Sequence, residues 1–384
     1  MNRYNINTTD LLSKHNGDKN SAAEELVDLV VDGTIWFPFQ RYFRKSAQDL
    51  MQGVREADLT IKKKNRYRLY SYYPESKLYL PPQYKGDGII IYTDNSTYLN
   101  ADVISDIFIE DVRLKAKRYD QTMSILEHWI HKESMVKLMG AALDNDFITP
   151  EVMRSVIYKQ VAETKIFRPT WAKSLLDVVI GLENIAGKKW LDISAGWGDR
   201  LIAAMALDMD YLGFDPNEDL MIGHNQMINM FGSQDRHQVV YEPFETTEAI
   251  GDRMFDVVLS SPPYFDVEDY APGQEGQSIV SYPDYDIWMK QFMFVSLSKA
   301  WNHLKVGGHL ILHLGDTRTT KLCEPTNLFI EEYLEGASWE GIIGLEGLNE
   351  YPRPTWIWKK VDGEVNRWNR NVERSLSSCY PQLA

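Results

Sequence analysis

A short apolar run, a pair of glycines and a helix, in that order, set the tightest limit on how this chain can fold. Residues 188–193 read as a buried strand, Asp192-Ile-Ser194-Ala195-Gly196-Trp197-Gly198-Asp199-Arg200 turns the chain, and residues 201–207 read as a helix. A strand, a tight glycine turn and a helix form the first half of a nucleotide-binding βαβ unit. Residues 211–215 read as a second strand that ends on Asp215, 17 residues beyond Gly198. A carboxylate at that place can accept hydrogen bonds from both hydroxyls of a ribose, although Asp215 could equally cap a helix starting near Pro216.

A second feature closes a later apolar run. Residues 255–259 read as another buried strand, and Ser261-Pro262-Pro263-Tyr264 follows it closely. Ligands of open α/β sheets bind outside the carboxyl ends of the strands. Two consecutive prolines neither extend a ladder nor start a helix together, so they fix a rigid, extended turn. That turn offers a hydroxyl (Ser261), a carbonyl acceptor (Pro262) and an aromatic face (Tyr264), a set suited to a flat ring that bears an amine. Double-proline turns with a packed tyrosine are common. What carries the functional reading is the order of glycine turn, Asp215 and S-P-P-Y along one chain.

This arrangement resembles the S-adenosylmethionine (SAM)-dependent amino-methyltransferases that carry a D/N/S-P-P-Y/F/W motif, over roughly residues 165–360. The resemblance implies an α/β fold: a Rossmann-like methyltransferase sheet with helices on both faces and SAM as cofactor. It places SAM against Asp192, Ser194, Ala195, Gly196, Trp197 and Gly198 of the first turn, and against Asp215 and Pro216. Tyr241-Glu-Pro-Phe244-Glu245 falls where the family contacts the adenine, which brings in Phe244 and Glu245, and Ser260 precedes the motif. Ser261, Pro262, Pro263 and Tyr264 are the implied catalytic residues, and residues 304–313 match the fifth strand and the turn before it. The glycine turn reads D-I-S-A-G-W-G-D where DNA methylases usually have D-P-F-x-G-S-G-T, and in this the chain is similar to phage- and virus-encoded relatives.

An exocyclic amine conjugated with its ring is a weak nucleophile. Ser261 and the Pro262 carbonyl are suited to accept its two hydrogens, and Tyr264 to stack on the ring, so catalysis rests on positioning and electrostatics. The favoured acceptor is adenine N6 in DNA, with the base flipped out of any duplex. Cytosine N4, an RNA base, a protein side-chain amide, and a silent methyltransferase fold that only binds a partner are the alternatives. A dehydrogenase fingerprint, G-x-G-x-x-G, needs glycine where Leu201 stands, and leaves the S-P-P-Y turn unexplained.

At 384 residues two domains are the natural expectation. We place an N-terminal α+β domain at 1–148, the methyltransferase domain at 149–361 and a polar tail at 362–384. No run approaches the ~18 apolar residues of a membrane span, and the N-terminal residues lack an apolar signal core. Cys323 and Cys379 alone make no disulfide framework. The expectation is a protein of the cytoplasm (the host cytoplasm for a viral protein) with no membrane contact. His128 and His131 share a helix without a third ligand, and His309 and His313 share a strand face and read as packed, so no metal is expected.

The net charge of −14 opposes phosphate binding, which needs Lys and Arg. Its distribution is uneven: residues 1–164 carry −1 and the remainder −13. Lys62, Lys63, Lys64, Arg66, Arg68, Lys77 and Lys85 stand against the single acid Glu75 and alternate with tyrosines. Such a segment can grip phosphates and stack on unpaired bases, or it can be a hairpin whose lysines keep an edge soluble. Arg113, Lys115, Lys117 and Arg118 read as a helix face. Phe265 and Arg353 are rim candidates for substrate contact. Residues 266–278 read as a mobile loop whose acids, Asp266, Glu268 and Asp269, would repel a phosphate backbone facing them. Residues 21–31 and a segment starting at Thr149-Pro150 read as helices, 61–92 as strands and turns, and 170–186 as a helix that buries Trp171, Leu175, Val178, Val179 and Leu182 and stops at Gly187.

Overall fold

Among the described residues nine strands join in one sheet. The computed structural model describes residues 3–58, 61–64, 88–92, 101–118, 121–317, 320–346 and 353–363. The strands are β1 (Ile61–Lys64), β2 (Gly88–Tyr92), β3 (Lys189–Asp192), β4 (Asp210–Phe214), β5 (His237–Val240), β6 (Phe255–Ser260), β7 (Leu304–His313), β8 (Ala337–Glu346) and β9 (Arg353–Lys360). Their spatial order is β1-β2-β8-β9-β7-β6-β3-β4-β5. From β7 through β6, β3 and β4 to β5 all neighbours are parallel, whereas β9 runs antiparallel to both β7 and β8.

Trp190 and Leu191 of β3 and Val257, Val258 and Leu259 of β6 are all fully buried. Successive strand residues point to opposite faces, so both faces of the central strands are covered, as a parallel sheet requires. On one face Leu191, Leu212, Val258 and Leu310 pack with Leu297 and Trp301 of one helix and Phe329 and Ile330 of another. Helices that accompany the sheet include α1 (Pro169–Ile180), α2 (Asp199–Ala206), α3 (Met221–Phe231), α4 (Val295–Asn302) and α5 (Cys323–Tyr333). After β3 the chain lays down β4 and β5 to one side, then returns to build β6 and β7 on the other. Strand order therefore reverses between β3 and β6, and in open α/β sheets the carboxyl ends of the strands at such a reversal are where ligands bind.

Two compact units divide the chain: residues 48–105, 166–267 and 274–384 in one, residues 1–47, 106–165 and 268–273 in the other. The division differs from a single cut after residue 148. Strands β1 and β2 belong to the large sheet, with β2 parallel to β8, while helix Pro150–Gln160 buries Met153, Val156 and Ile157 in the core of the second unit. Its start is as expected, with the Thr149 hydroxyl accepting the Val152 N–H at 3.3 Å and proline in the first turn. Helix α1 ends earlier than expected. Gly181 has φ +86°, a conformation that suits glycine and stops the helix six residues before Gly187. As a result Leu182 is exposed, and Val178 and Val179 are only half-buried.

The segment 113–118 is no solvated helix face. Arg113 is buried, Lys117–Arg118 is a short strand, and Glu268–Asp269 pairs with it antiparallel, so the segment expected to be a mobile loop contains an ordered ladder. Arg113 donates to Asp106 through Nε and Nη2, both at 2.7 Å, and to Glu163 through Nη1 at 3.0 Å. Arg154 pairs with Glu163 and, at 3.2 Å, with Glu110, which also accepts the Gln40 N–H at 2.5 Å. Three buried carboxylates thus face two buried guanidinium groups.

Burial first, and the Asp106 charge second, push the Glu110 carboxyl up to about 8. Between the ordinary carboxylate range and pH 8 the folded chain therefore holds a proton that the unfolded chain has released. Stability falls as pH rises through that window and levels off above it. Glu110→Gln, which fixes the neutral form, is expected to reduce this fall and to be more stable than the unaltered protein at pH 9. Thermal unfolding of both proteins from pH 6 to 9 checks it; parallel profiles would contradict the assignment.

Candidate functional site

One buried carboxylate organises the carboxyl ends of the central strands. Asp192 ends β3 and is fully buried. Its Oδ1 accepts the Ser260 hydroxyl at 2.7 Å and the Ser194 N–H at 3.2 Å. Its Oδ2 accepts Arg200 Nε and the Tyr211 hydroxyl, each at 2.7 Å. The four donors come from the end of β6, the glycine turn, α2 and β4. Arg200 also donates to the Ser194 carbonyl and lies 5.0 Å from the Phe167 ring centroid.

The glycine turn needs its glycines for two different reasons. Gly196 has φ +57° and Gly198 φ +83°, where side chains bearing Cβ are strained. A Cβ on Gly198 would also lie 2.8 Å from Met227 Sδ and 3.0 Å from His224 Cδ2. The peptide of Gly196 is held from both sides. Its N–H donates to Asp215 Oδ2 at 2.8 Å, and His224 Nε2 donates to its carbonyl at 3.0 Å. Since a carbonyl only accepts, the His224 proton sits on Nε2, and Nδ1 accepts the Tyr241 hydroxyl at 3.1 Å. Burial pushes His224 down to about 4, so the ring is neutral at physiological pH.

Asp215 follows β4 and is half-buried. Oδ1 accepts the Asn217 N–H at 3.0 Å and Oδ2 that of Gly196, leaving lone pairs on both oxygens. Burial pushes this carboxyl up to about 6, against the pull of its two backbone hydrogen bonds. Pro216 is half-buried beside it, and Ala195 and Trp197 are buried under the turn. Phe244 lies in the core, 5.0 Å from Phe214 and with Lys299 Nζ 5.3 Å from its ring centroid. Glu245 is buried, raised first by desolvation, and accepts a hydrogen bond from Tyr282.

The S-P-P-Y turn leaves β6 directly after Ser260. Pro262 is buried; Ser261, Pro263 and Tyr264 are half-buried. The Tyr264 hydroxyl donates to the His313 carbonyl at 3.3 Å, which anchors the hydroxyl end of the ring to the end of β7. The His313 ring is buried, hydrogen-bonded to Thr355 at 2.9 Å and pushed down to about 3 by burial and then by the nearby Arg353 charge. It is packed, as the sequence suggests. Phe265, with φ +52°, is half-buried and turns its ring to Tyr285 and Trp288, 5.6 Å from each, so it packs against the core. Arg353 opens β9 and is half-buried. Lys62, Lys63 and Lys64 lie on β1, the edge strand of the sheet; Arg66 and Arg68 lie outside the described residues. Among the described residues no cluster of His, Cys, Asp and Glu could hold a metal ion, and no helix is long and apolar enough to cross a membrane.

Sequence reasoning missed Arg200, Tyr211 and His224. Arg200 sits on the helix after the turn, where a buried cation has to face an acid; His224 is a polar residue at helical spacing from Met227 and Ile228, both buried. It also missed the segment around Phe167, whose ring meets His313 edge-on at 5.3 Å. An Arg-Pro pair opening α1 was its only local signal.

No family model and no curated protein matches the chain. Among solved structures it is similar to TrmN from Thermus thermophilus, with 16% identity over 51% of this chain and 49% of that one, at a TM-score of 0.36. It is also similar to a methyltransferase from Pyrococcus furiosus, with 19% identity over 50% and 83% of the two chains and a TM-score of 0.35. A third is the 16S rRNA N2 G1207 methyltransferase RsmC of T. thermophilus in complex with AdoMet and guanosine, with 14% identity over 52% and 44% and a TM-score of 0.34. The chain spans about half the length of TrmN.

Because Asp192 is the hydrogen-bonded counter-charge of buried Arg200, Asp192→Asn leaves that cation with only the more distant Asp199 charge, at an expected cost of about 3–5 kcal/mol. Chemical denaturation of the variant checks it. A change of less than about 1 kcal/mol, within the range of a surface pair, would contradict the role given to this carboxylate.

Proposed function

We propose that the chain is a SAM-dependent methyltransferase acting on the exocyclic amine of a nucleobase, with adenine N6 in DNA as the first reading. The observation that supports it is the Asp192 carboxylate, which accepts from Ser194 of the glycine turn and from Ser260 and so holds that turn beside the S-P-P-Y turn. The S-P-P-Y motif supports amine chemistry.

The residues present suit SAM. Gly196 and Gly198 supply the positive φ values that the tight turn requires, and Asp215 has lone pairs free for two ribose hydroxyls. Bound there, SAM supplies a methyl group on a sulfonium. The rest is the protein's own work. Ser261 and the Pro262 carbonyl accept the two hydrogens of the amine, which directs its lone pair outward without a strong base. Tyr264, its hydroxyl tied to the His313 carbonyl, offers a fixed face on which a base stacks. The positive charge that builds on the amine meets oxygen acceptors rather than cations, and its proton then leaves to water.

Asp215→Ala removes two charge-assisted acceptors and is expected to weaken SAM affinity at least about tenfold. With the free carboxyl at about 6, the charged form that accepts both hydroxyls is depleted as pH falls. Affinity should therefore be flat above pH 7 and drop below 6, by up to about tenfold per pH unit, a dependence that the alanine variant loses. Calorimetry across pH 5–8 measures both; unchanged affinity in a folded Asp215→Ala protein would remove Asp215 from the site.

The activity is tested by incubating the protein with methyl-labelled SAM and separate DNA, RNA and protein pools, followed by nucleoside analysis. Label in N6-methyladenine of DNA is expected, and Tyr264→Ala should lose about 10- to 100-fold in turnover, the worth of one base stack, with SAM affinity kept. Ser261→Ala should lose less, because Pro262 retains one acceptor. Label only in RNA would move the substrate assignment to RNA, and label only in protein would overturn the nucleobase reading.

A further inference from the structure

The chain that leaves the S-P-P-Y turn comes back to the far side of the sheet, onto the loops after β4 and β5. Residues 274–282 belong to the same compact unit as those loops and are fastened to them along their length. Gln274 Nε2 donates to Asp219 Oδ2 at 2.9 Å. Gly276 then lies against two prolines: a Cβ built on it would stand 3.4 Å from Pro216 Cβ and 3.9 Å from Pro243 Cγ. Further on, Tyr282 donates to the buried Glu245 carboxylate.

These contacts put the segment at the carboxyl ends of two parallel strands, where open α/β sheets bind their ligands. Pro216 comes two residues after β4, and Pro243 three residues after β5. Both are half-buried, as is Gly276 between them. Proline rings offer flat apolar faces without hydrogen-bonding groups, a surface suited to a planar base. Gly276 has φ +93°, a conformation that leaves the position to glycine, so the backbone itself, with no side chain in between, faces the two prolines.

The other end of the segment is tied to the catalytic turn. Gln277 and Ser278 are buried, and Trp288 Nε1 donates to Ser278 Oγ at 3.0 Å. The Trp288 ring lies 5.6 Å from that of Phe265, the residue after Tyr264. One short stretch of chain therefore touches the loop that carries Asp215 and, through Trp288, the end of the S-P-P-Y turn.

We propose that residues 274–277 form the outer wall of the adenosine site. The adenine ring of the bound cofactor lies beside Pro216 and Pro243 under this wall, and the Gln274–Asp219 hydrogen bond is the latch that opens for its entry and release. The inference rests on the methyltransferase reading and deepens it, adding a cofactor-retaining element that neither the glycine turn nor the S-P-P-Y motif contains.

The test disturbs the latch in the full chain. Gln274→Glu sets a second carboxylate against Asp219, and Gln274→Glu combined with Asp219→Gln restores an amide–carboxylate pair in the opposite sense. Asp219 is exposed and Gln274 half-buried, so both proteins should melt with the unaltered one. Dissociation rates are measured for S-adenosylhomocysteine and for methylthioadenosine, which lacks the aminocarboxylate. Gln274→Glu should release both nucleosides about three- to tenfold faster, the worth of one hydrogen bond read in the off-rate, and the double variant should return to the original rate. Amide hydrogen exchange over residues 274–282 should slow when either nucleoside is bound. Unchanged dissociation rates, a double variant as fast as the single one, or exchange that ignores the ligand would overturn the proposal. Faster release of S-adenosylhomocysteine alone would overturn it too, because the segment would then meet the aminocarboxylate and not the adenosine. An unaltered protein that binds neither nucleoside would instead overturn the methyltransferase reading, and the wall with it.

Discussion

The Asp192–Arg200 pair is the interaction on which the rest of the site depends. A carboxylate with no exposure to solvent has to be paired and fully hydrogen-bonded, and Asp192 meets that demand with donors from four separate segments. Because those donors belong to β4, β6, the glycine turn and α2, satisfying one charge fixes the mutual placement of the pieces that make the crevice. Conformational specificity is the main gain, since a hydrophobic replacement of similar volume could pack as well.

From that anchor the geometry spreads outward through backbone groups. The Gly196 peptide is held by Asp215 on one side and His224 on the other, so the turn is rigid although it has few side chains of its own. Tyr264 is oriented from β7 through a carbonyl, and His313, which supplies it, is locked by Thr355 of β9. Preorganisation of this sort suits a reaction in which the protein aligns two reactants and supplies acceptors, with no base or nucleophile to be tuned. On the proposed reading the acidic balance of residues 165–384 is compatible with it, because a developing cation would be the charge to be stabilised.

Much of this was legible in the sequence, and the physical reason is locality. The strand–glycine–helix run, the acid ending β4 and the double proline after β6 are each contained in at most about twenty consecutive residues, and local signals of this type are the dependable ones. The resemblance placed the fifth strand together with its preceding turn at 304–313, all of which is strand β7, and the start of helix Pro150–Gln160 followed from Thr149-Pro150. What escaped is non-local. No short window shows that Ser260 will find Asp192 or that Phe167 will meet His313, contacts spanning 68 and 146 residues. The buried partnership of Arg113 with Asp106 and Glu163 reversed its reading as a surface residue for the same reason. The end of α1 was misjudged because two glycines, Gly181 and Gly187, could each stop a helix, and packing decided for the nearer one.

The most direct measurement of the account is a crystal structure of the protein with S-adenosylhomocysteine. The account predicts both ribose hydroxyls within hydrogen-bond distance of Asp215, the nucleoside passing over Gly196 and Gly198, and the sulfur directed at the Ser261–Tyr264 turn. A ligand bound elsewhere on the sheet, or one bound here with its ribose turned away from Asp215, would contradict it.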